Sequence, residues 1–271
     1  MSQATVEPTT ASPNRAEEWR QLGRAWYKQG KYRKAAHAFL CSLRYARQRK
    51  SEAAPDLLGK IFVSLGIVFH LSGDSDRAER YIHEGLQDPT IPPSYQGILY
   101  LCLGNVRYQR GLDEEAVQAW EKAELILREA GDLSHMSMAM SNRGMLLIDL
   151  GDVDQALALL HEAETIKKQI GEEFLYMTET EIARAYTVKG EYEKAKRYAQ
   201  KALEQAMARR DEAEVGRVLC VLAEIEHWKG KHDSAKEIFH EAFEILCRAK
   251  GVWDLHRLYG RARRLGYFEN N

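Results

Sequence analysis

Histidine followed directly by glutamate occurs three times in the 271-residue chain, at His83-Glu84, His161-Glu162 and His240-Glu241. Such a pair is half of a zinc-hydrolase arrangement, in which two imidazoles four residues apart on one helix face hold a metal and the glutamate activates water. The fourth residue after each histidine is Gln87, Thr165 or Glu244, so the second imidazole is missing every time and Glu244 alone could ligate. The pairs recur 78 and 79 residues apart, which marks them as copies of one position in a repeated unit with a packing or surface role. Cys41, Cys102, Cys220 and Cys247 form no Cys-x-x-Cys pair, and each falls in an apolar helical pattern that predicts a core position. No phosphate-cradling glycine loop and no nucleophile elbow appears. The sequence therefore predicts no enzyme, no metal and no cofactor, and Trp120, Trp228 and Phe239 read as core aromatics.

The elements that carry these residues are set by a repeat. Gly30, Gly73, Gly111, Gly151, Gly190 and Gly230 are each followed five residues later by alanine: Ala35, Ala78, Ala116, Ala156, Ala195 and Ala235. The seventh residue before each glycine is small: Gly23, Gly66, Gly104, Gly144, Ala183 and Ala223. Small residues let two helices approach closely, and the intervening glycine takes a left-handed turn cheaply, so each unit predicts a helix hairpin of A and B helices. Gly131, Gly171, Asp211 and Gly251, spaced by 40, predict where each B helix ends. All six prolines fall outside the repeat interiors and no segment alternates like a strand, so an all-α chain is expected. The predicted boundaries are a disordered tail over 1–15, six hairpins over 16–251, and a capping helix with a C-terminal tail over 252–271. The cap is expected to pack through Leu258 and Tyr259 and to turn at Gly266.

Trp19-x-x-Leu22-Gly23-x-x-Trp26, continuing to Ala35-x-x-x-Phe39, resembles the tetratricopeptide-repeat (TPR) signature, with Trp26 where tyrosine is usual. Weaker versions follow at Leu65-Gly66-x-x-Phe69 with Ala78, at Leu103-Gly104 with Ala116-x-x-x-Trp120, and at Ala235-x-x-x-Phe239. The resemblance implies a right-handed TPR superhelix, an α-solenoid of six hairpins closed by the cap. A standard TPR has about 34 residues, and units near 40 are similar to those of kinesin light chain and of bacterial peptide sensors of the Rap and PlcR type. Fewer than twenty residues precede the first unit, too few for a DNA-binding helix-turn-helix, which weighs against a complete PlcR-like regulator.

In such families the A helices line a concave groove that holds a peptide of a protein partner. The groove positions implied here are Arg20, Arg24 and Tyr27 in the first unit, His70 in the second, and Asn105 and Tyr108 in the third. Ser141 and Asn142 follow in the fourth, Thr180 and Arg184 in the fifth, and Glu224 and His227 in the sixth. Asparagine grips an extended backbone by donating and accepting together, and arginine clamps a carboxylate through parallel bonds. Asn105, Asn142 and Arg184 therefore rank first. A chaperone-type carboxylate clamp is disfavoured, because the second A helix offers Val63 and Ile67 where it needs asparagine.

The reading is a scaffold or adaptor that binds a peptide, with a Rap-like peptide-responsive regulator as the alternative. Residues 1–50 carry eleven Lys/Arg against three Asp/Glu, which leaves a net −9 for the remainder of a chain whose net charge is −1. The basic excess lies along Arg33, Lys34, Arg44, Arg47, Arg49 and Lys50, with a second cluster at Arg257, Arg261, Arg263 and Arg264. A solvated helix face is the favoured reading of both, ahead of docking by an acidic partner or nucleic acid, and a pI near 6.8 lacks the footprint of a nucleic-acid binder. The absence of a long apolar run and of a secretory start predicts a cytoplasmic protein outside membranes. Oligomeric state has no signature in these residues.

Overall fold

The computed structural model describes residues 14–48, 55–172, 175–249 and 252–267. The tail predicted before residue 14, Arg49, Lys50 and Gly251 lie outside them, as does the side chain of Arg257. Among the described residues there are thirteen helices and no strand. They are α1 (Arg15–Lys28), α2 (Tyr32–Gln48), α3 (Pro55–Leu71), α4 (Ser75–Leu86), α5 (Pro93–Gln109), α6 (Asp113–Glu129), α7 (Leu133–Leu150), α8 (Val153–Gln169), α9 (Tyr176–Val188), α10 (Tyr192–Arg209), α11 (Glu212–Trp228), α12 (His232–Arg248) and α13 (Val252–Arg264). Odd-numbered helices through α11 are the A helices, and even-numbered helices are the B helices. The all-α fold of repeated helix hairpins expected from the sequence is the fold found.

The turn inside each hairpin follows from one residue. Gly30, Gly73, Gly111, Gly151, Gly190 and Gly230 all adopt positive φ, between 69° and 89°. At Gly111 the backbone N–H donates to Tyr108 O and the next N–H, of Leu112, donates to Arg107 O, both at 3.0 Å. These two bonds close the carbonyl end of α5 and turn the chain back. The same pair of bonds ends the B helices at Gly131 and Gly171. In the fifth unit the left-handed residue is Arg210 (φ 57°), not Asp211. Asp211 instead caps α11, its side chain accepting from the Glu214 N–H at 3.1 Å. The spacing of 40 thus drifts by one residue there, and a side chain sits in a conformation that glycine takes at the equivalent turns.

Two compact units divide the chain, Met1–Asn142 and Arg143–Asn271. In the first, the hairpins close through glycines packed under large side chains sixteen residues later. A Cβ on Gly23 would stand 2.6 Å from Phe39, on Gly66 2.8 Å from Ile82, and on Gly104 2.4 Å from Trp120. Phe39, Ile82 and Trp120 are almost fully buried there, together with Ala35, Ala78 and Ala116. Pro93 opens α5, where its missing N–H has no helical partner to lose.

In the second unit Gly144 meets Leu160 in the same way, with Cβ to Cγ at 2.8 Å. Ala183 and Ala223 then replace glycine, and Ala199 and Phe239, sixteen residues on, share their core. The cap differs from expectation. Leu258 and Ala262 of α13 are the buried pair, whereas Tyr259 is 37% exposed. Trp228 is also corrected from core to surface, at 56% exposed, because it lies in the last turn of α11 beside its C-cap. Cys102 and Cys220 are core residues as predicted, but Cys41 is half-buried and Cys247 exposed. Burial pushes the Cys102 thiol up to about 12, so it stays protonated.

Candidate functional site

In the first unit α3 packs between α1 and α5. Arg20 is nearly buried and donates to both Glu17 oxygens, at 2.7 and 2.6 Å, one turn earlier on α1. Arg24 is exposed, and Tyr27, 39% exposed, has its ring 6.0 Å from that of Tyr32. His70 is half-buried on α3, and desolvation lowers its pKa while the side chain of Gln109 on α5 opposes that shift. Neither His70 Nδ1 nor Gln109 Oε1, both buried, has a partner of good hydrogen-bond geometry in the protein.

Asn105, Tyr108 and Asn142 come together around Trp120. Asn105 Oδ1 accepts from Trp120 Nε1 at 3.0 Å and from Asn142 Nδ2 at 2.8 Å. The ring of Tyr108 lies 5.9 Å from that of Trp120, tilted by 49°. One acceptor thereby ties helix B of the third hairpin and the A helix α7 to α5. Ser141 donates to its own helix, at Ser137 O, 2.8 Å away.

In the second unit the implied positions carry charge. Arg184, 4% exposed, donates to Glu181 at 2.5 Å and to Asp149 and Met145 O of α7. Thr180 donates to Glu214 Oε1 at 2.5 Å, and Arg217 Nε donates to Glu214 Oε2 at 2.7 Å. Glu214 is buried, and desolvation raises its pKa against the pull of Arg217 and Thr180. Glu224 receives both arms of Arg261 on α13. Thr180, Glu181, Arg184, Arg217 and Arg261 line a narrow cavity of about 20 Å³, room for about one water. His227 stands apart, bonded through Nδ1 to the Tyr267 hydroxyl at 2.7 Å.

Several of these partners have no signature in the sequence. Glu179, fully buried, accepts from Lys201 at 2.5 Å and Gln205 at 2.7 Å, and Lys167 Nζ, also buried, donates to Thr178 at 2.8 Å. Helical spacing places Glu179 on an inward face, but its partners, one cation and one amide, come from α10, more than twenty residues on. Of the basic clusters, Arg33, Lys34 and Arg44 are exposed, Arg47 pairs with Glu84, and Arg263 and Arg264 are exposed. Of the three His-Glu histidines, His83 is exposed beside Glu79, His161 bonds to Tyr186, and His240 is exposed. Among the described residues no group of three metal-ligating side chains forms, and no helix is long and apolar enough to cross a membrane.

The family description "MalT-like TPR region" matches residues 9–251. Mouse Superkiller complex protein 3 is 24% identical over 214 residues, which cover 70% of this chain and 13% of that protein, so the chain spans about an eighth of its relative's length. Among solved structures, BtubC from P. vanneervenii is similar with a TM-score of 0.64 at 18% identity, covering 89% of this chain and 94% of that one. A Rap protein complexed with competence and sporulation factor is similar with a TM-score of 0.62 at 15% identity, covering 92% and 74%.

Proposed function

Because the chain belongs to the MalT-like TPR family, whose repeat fold serves as a protein-interaction scaffold, we propose that it is an intracellular adaptor whose A helices hold a peptide segment of a partner protein. The observation that carries this reading is the pair of buried polar side chains on α3 and α5, His70 and Gln109, which face each other without a hydrogen bond of good geometry. A buried polar group that is poorly bonded costs up to about 1–3 kcal/mol, a cost that a ligand removes by supplying a better partner. A peptide backbone offers both a donor and an acceptor at every residue and suits the pair. Tyr27, exposed on α1, and the Asn105–Asn142 seam extend the same wall, with Asn142 retaining donor and acceptor capacity beyond its one bond.

The double substitution His70→Phe with Gln109→Leu tests this directly. It removes both poorly bonded polar groups, so the folded chain melts at or above the wild-type temperature while recovery of the natural partner falls at least tenfold. Undiminished recovery would remove this pair from the binding wall.

A further inference from the structure

Outside the A-helix wall, α8, α9 and α10 enclose a cleft of about 410 Å³, within the range of sites that bind ligands. Its floor is Tyr186 and Tyr198, stacked with ring centres 5.9 Å apart and planes 25° apart. Its rim is Lys168 from α8 and Lys194, Arg197 and Lys201 from α10, against one lining carboxylate, Glu164. Residues 194, 197 and 201 recur at three and four, so α10 turns three cations to one face over about 10 Å of its length.

The cations are not equally engaged. Lys168 pairs with Glu164 at 2.6 Å, Lys194 with Glu191 at 2.5 Å, and Lys201 with the buried Glu179 at 2.5 Å. Arg197 makes one long bond, Nε to the backbone oxygen of Glu193 at 3.4 Å, and pairs with no carboxylate among the described residues. Glu193 itself is bonded to Lys229 at 2.7 Å. The Lys194–Glu191 pair faces solvent on both sides and is weak enough to exchange for an incoming anion, whereas Lys168 and Lys201 are held by carboxylates that are nearly or fully buried.

We propose that this cleft is a second binding site, which takes an acidic peptide segment carrying aromatic or other apolar side chains. A stripe of cations along a helix matches carboxylates spaced along an extended chain, whereas a lone phosphate asks for donors converging on one point. The tyrosines argue in the same direction. Tyr186 has Tyr198 against it and Lys194 Nζ 5.2 Å from its ring centre, while its hydroxyl is bonded to His161 at 3.1 Å. The Tyr186 ring is therefore engaged by Tyr198 and Lys194, which leaves its edge to receive an apolar side chain and not an open face for a nucleotide base.

The test uses the full chain and a labelled decapeptide of alternating Glu and Tyr, read by fluorescence anisotropy beside its Gln/Tyr twin. The Glu peptide binds saturably, the twin binds at least tenfold more weakly, and Arg197→Glu weakens the Glu peptide at least tenfold with its melting temperature unchanged. Asn142→Ala, on the A-helix wall, leaves this binding as it was, which separates the cleft from the proposed peptide wall. Absence of saturable binding, equal binding of the twin, indifference to Arg197→Glu, or displacement of the peptide by equimolar AMP or inorganic phosphate would each overturn the proposal.

Discussion

Arg210 is the one non-glycine residue at positive φ among the described residues, and its neighbours in the repeat show what the position prefers. A left-handed backbone crowds Cβ against the following carbonyl and costs an L-residue about 1 kcal/mol. Arg210→Gly is therefore expected to stabilise the chain by about 1 kcal/mol, measured by urea denaturation. Asn105 sits at the opposite extreme, where one carbonyl oxygen satisfies two donors. Asn142→Ala removes one of the two and costs about 1 kcal/mol, while Asn105→Leu also strands the buried indole N–H of Trp120 and costs about 2–3 kcal/mol. Melting of the two variants side by side checks the order.

His70 gives a pH dependence. Burial lowers its pKa from the ordinary 6.5, so folding favours the neutral ring. Its stabilising share is fully present above that ordinary value and is lost as the pH falls toward the folded pKa. Glu214, whose pKa is raised, acts in the opposite sense, because its burial penalty is relieved as it protonates. Denaturation at pH 7 and pH 5 is thus expected to show a larger loss in wild type than in His70→Gln, with Glu214 common to both. Asn105, Asn142 and His70 were visible in the sequence as polar residues on A helices. Their partners were not, because a side chain's own periodicity says nothing about which residue of the next helix it meets.

At the scale of the helix, the hairpin rests on a contact between a small residue and one sixteen positions later. The glycine half was legible, since glycine weakens a helix interior and so marks a place where a second helix comes close. The turn glycines were legible because left-handed φ selects them. The partner half, Phe39, Ile82, Trp120 and Leu160, varies in type and looks like ordinary core. Gly104→Ala places a Cβ 2.4 Å from Trp120 Nε1 and is expected to cost about 1–3 kcal/mol. Adding Trp120→Leu, the residue type that faces Gly144, relieves the clash and makes the double variant less unstable than the sum of the two single ones. The departures at Trp228 and Tyr259 have separate causes. Trp228 lies in the last turn of α11, whereas Tyr259 lies beside the buried Leu258 and Ala262 of α13, on a face that meets solvent.

For the molecule as a whole, six repeats in phase made the fold readable from sequence, because every hairpin repeats the same local choices. The walls those hairpins present were only half readable. Their polar residues follow the repeat, yet the Asn105–Asn142 seam of the first unit is built from neutral amides, whereas the second unit interlocks arginines and carboxylates. Those charged pairs join residues 35 to 37 apart on different helices, as in Arg184 with Asp149 or Arg261 with Glu224. The central claim is that the A helices hold the partner. A photoreactive phenylalanine at Tyr27, exposed on α1, and another at Leu125, 59% exposed on the B helix α6, test it in the native cell. Position 27 is expected to crosslink to one short contiguous segment of a partner protein, and position 125 is not. Crosslinks from position 125 alone, or equally from both, would contradict the claim.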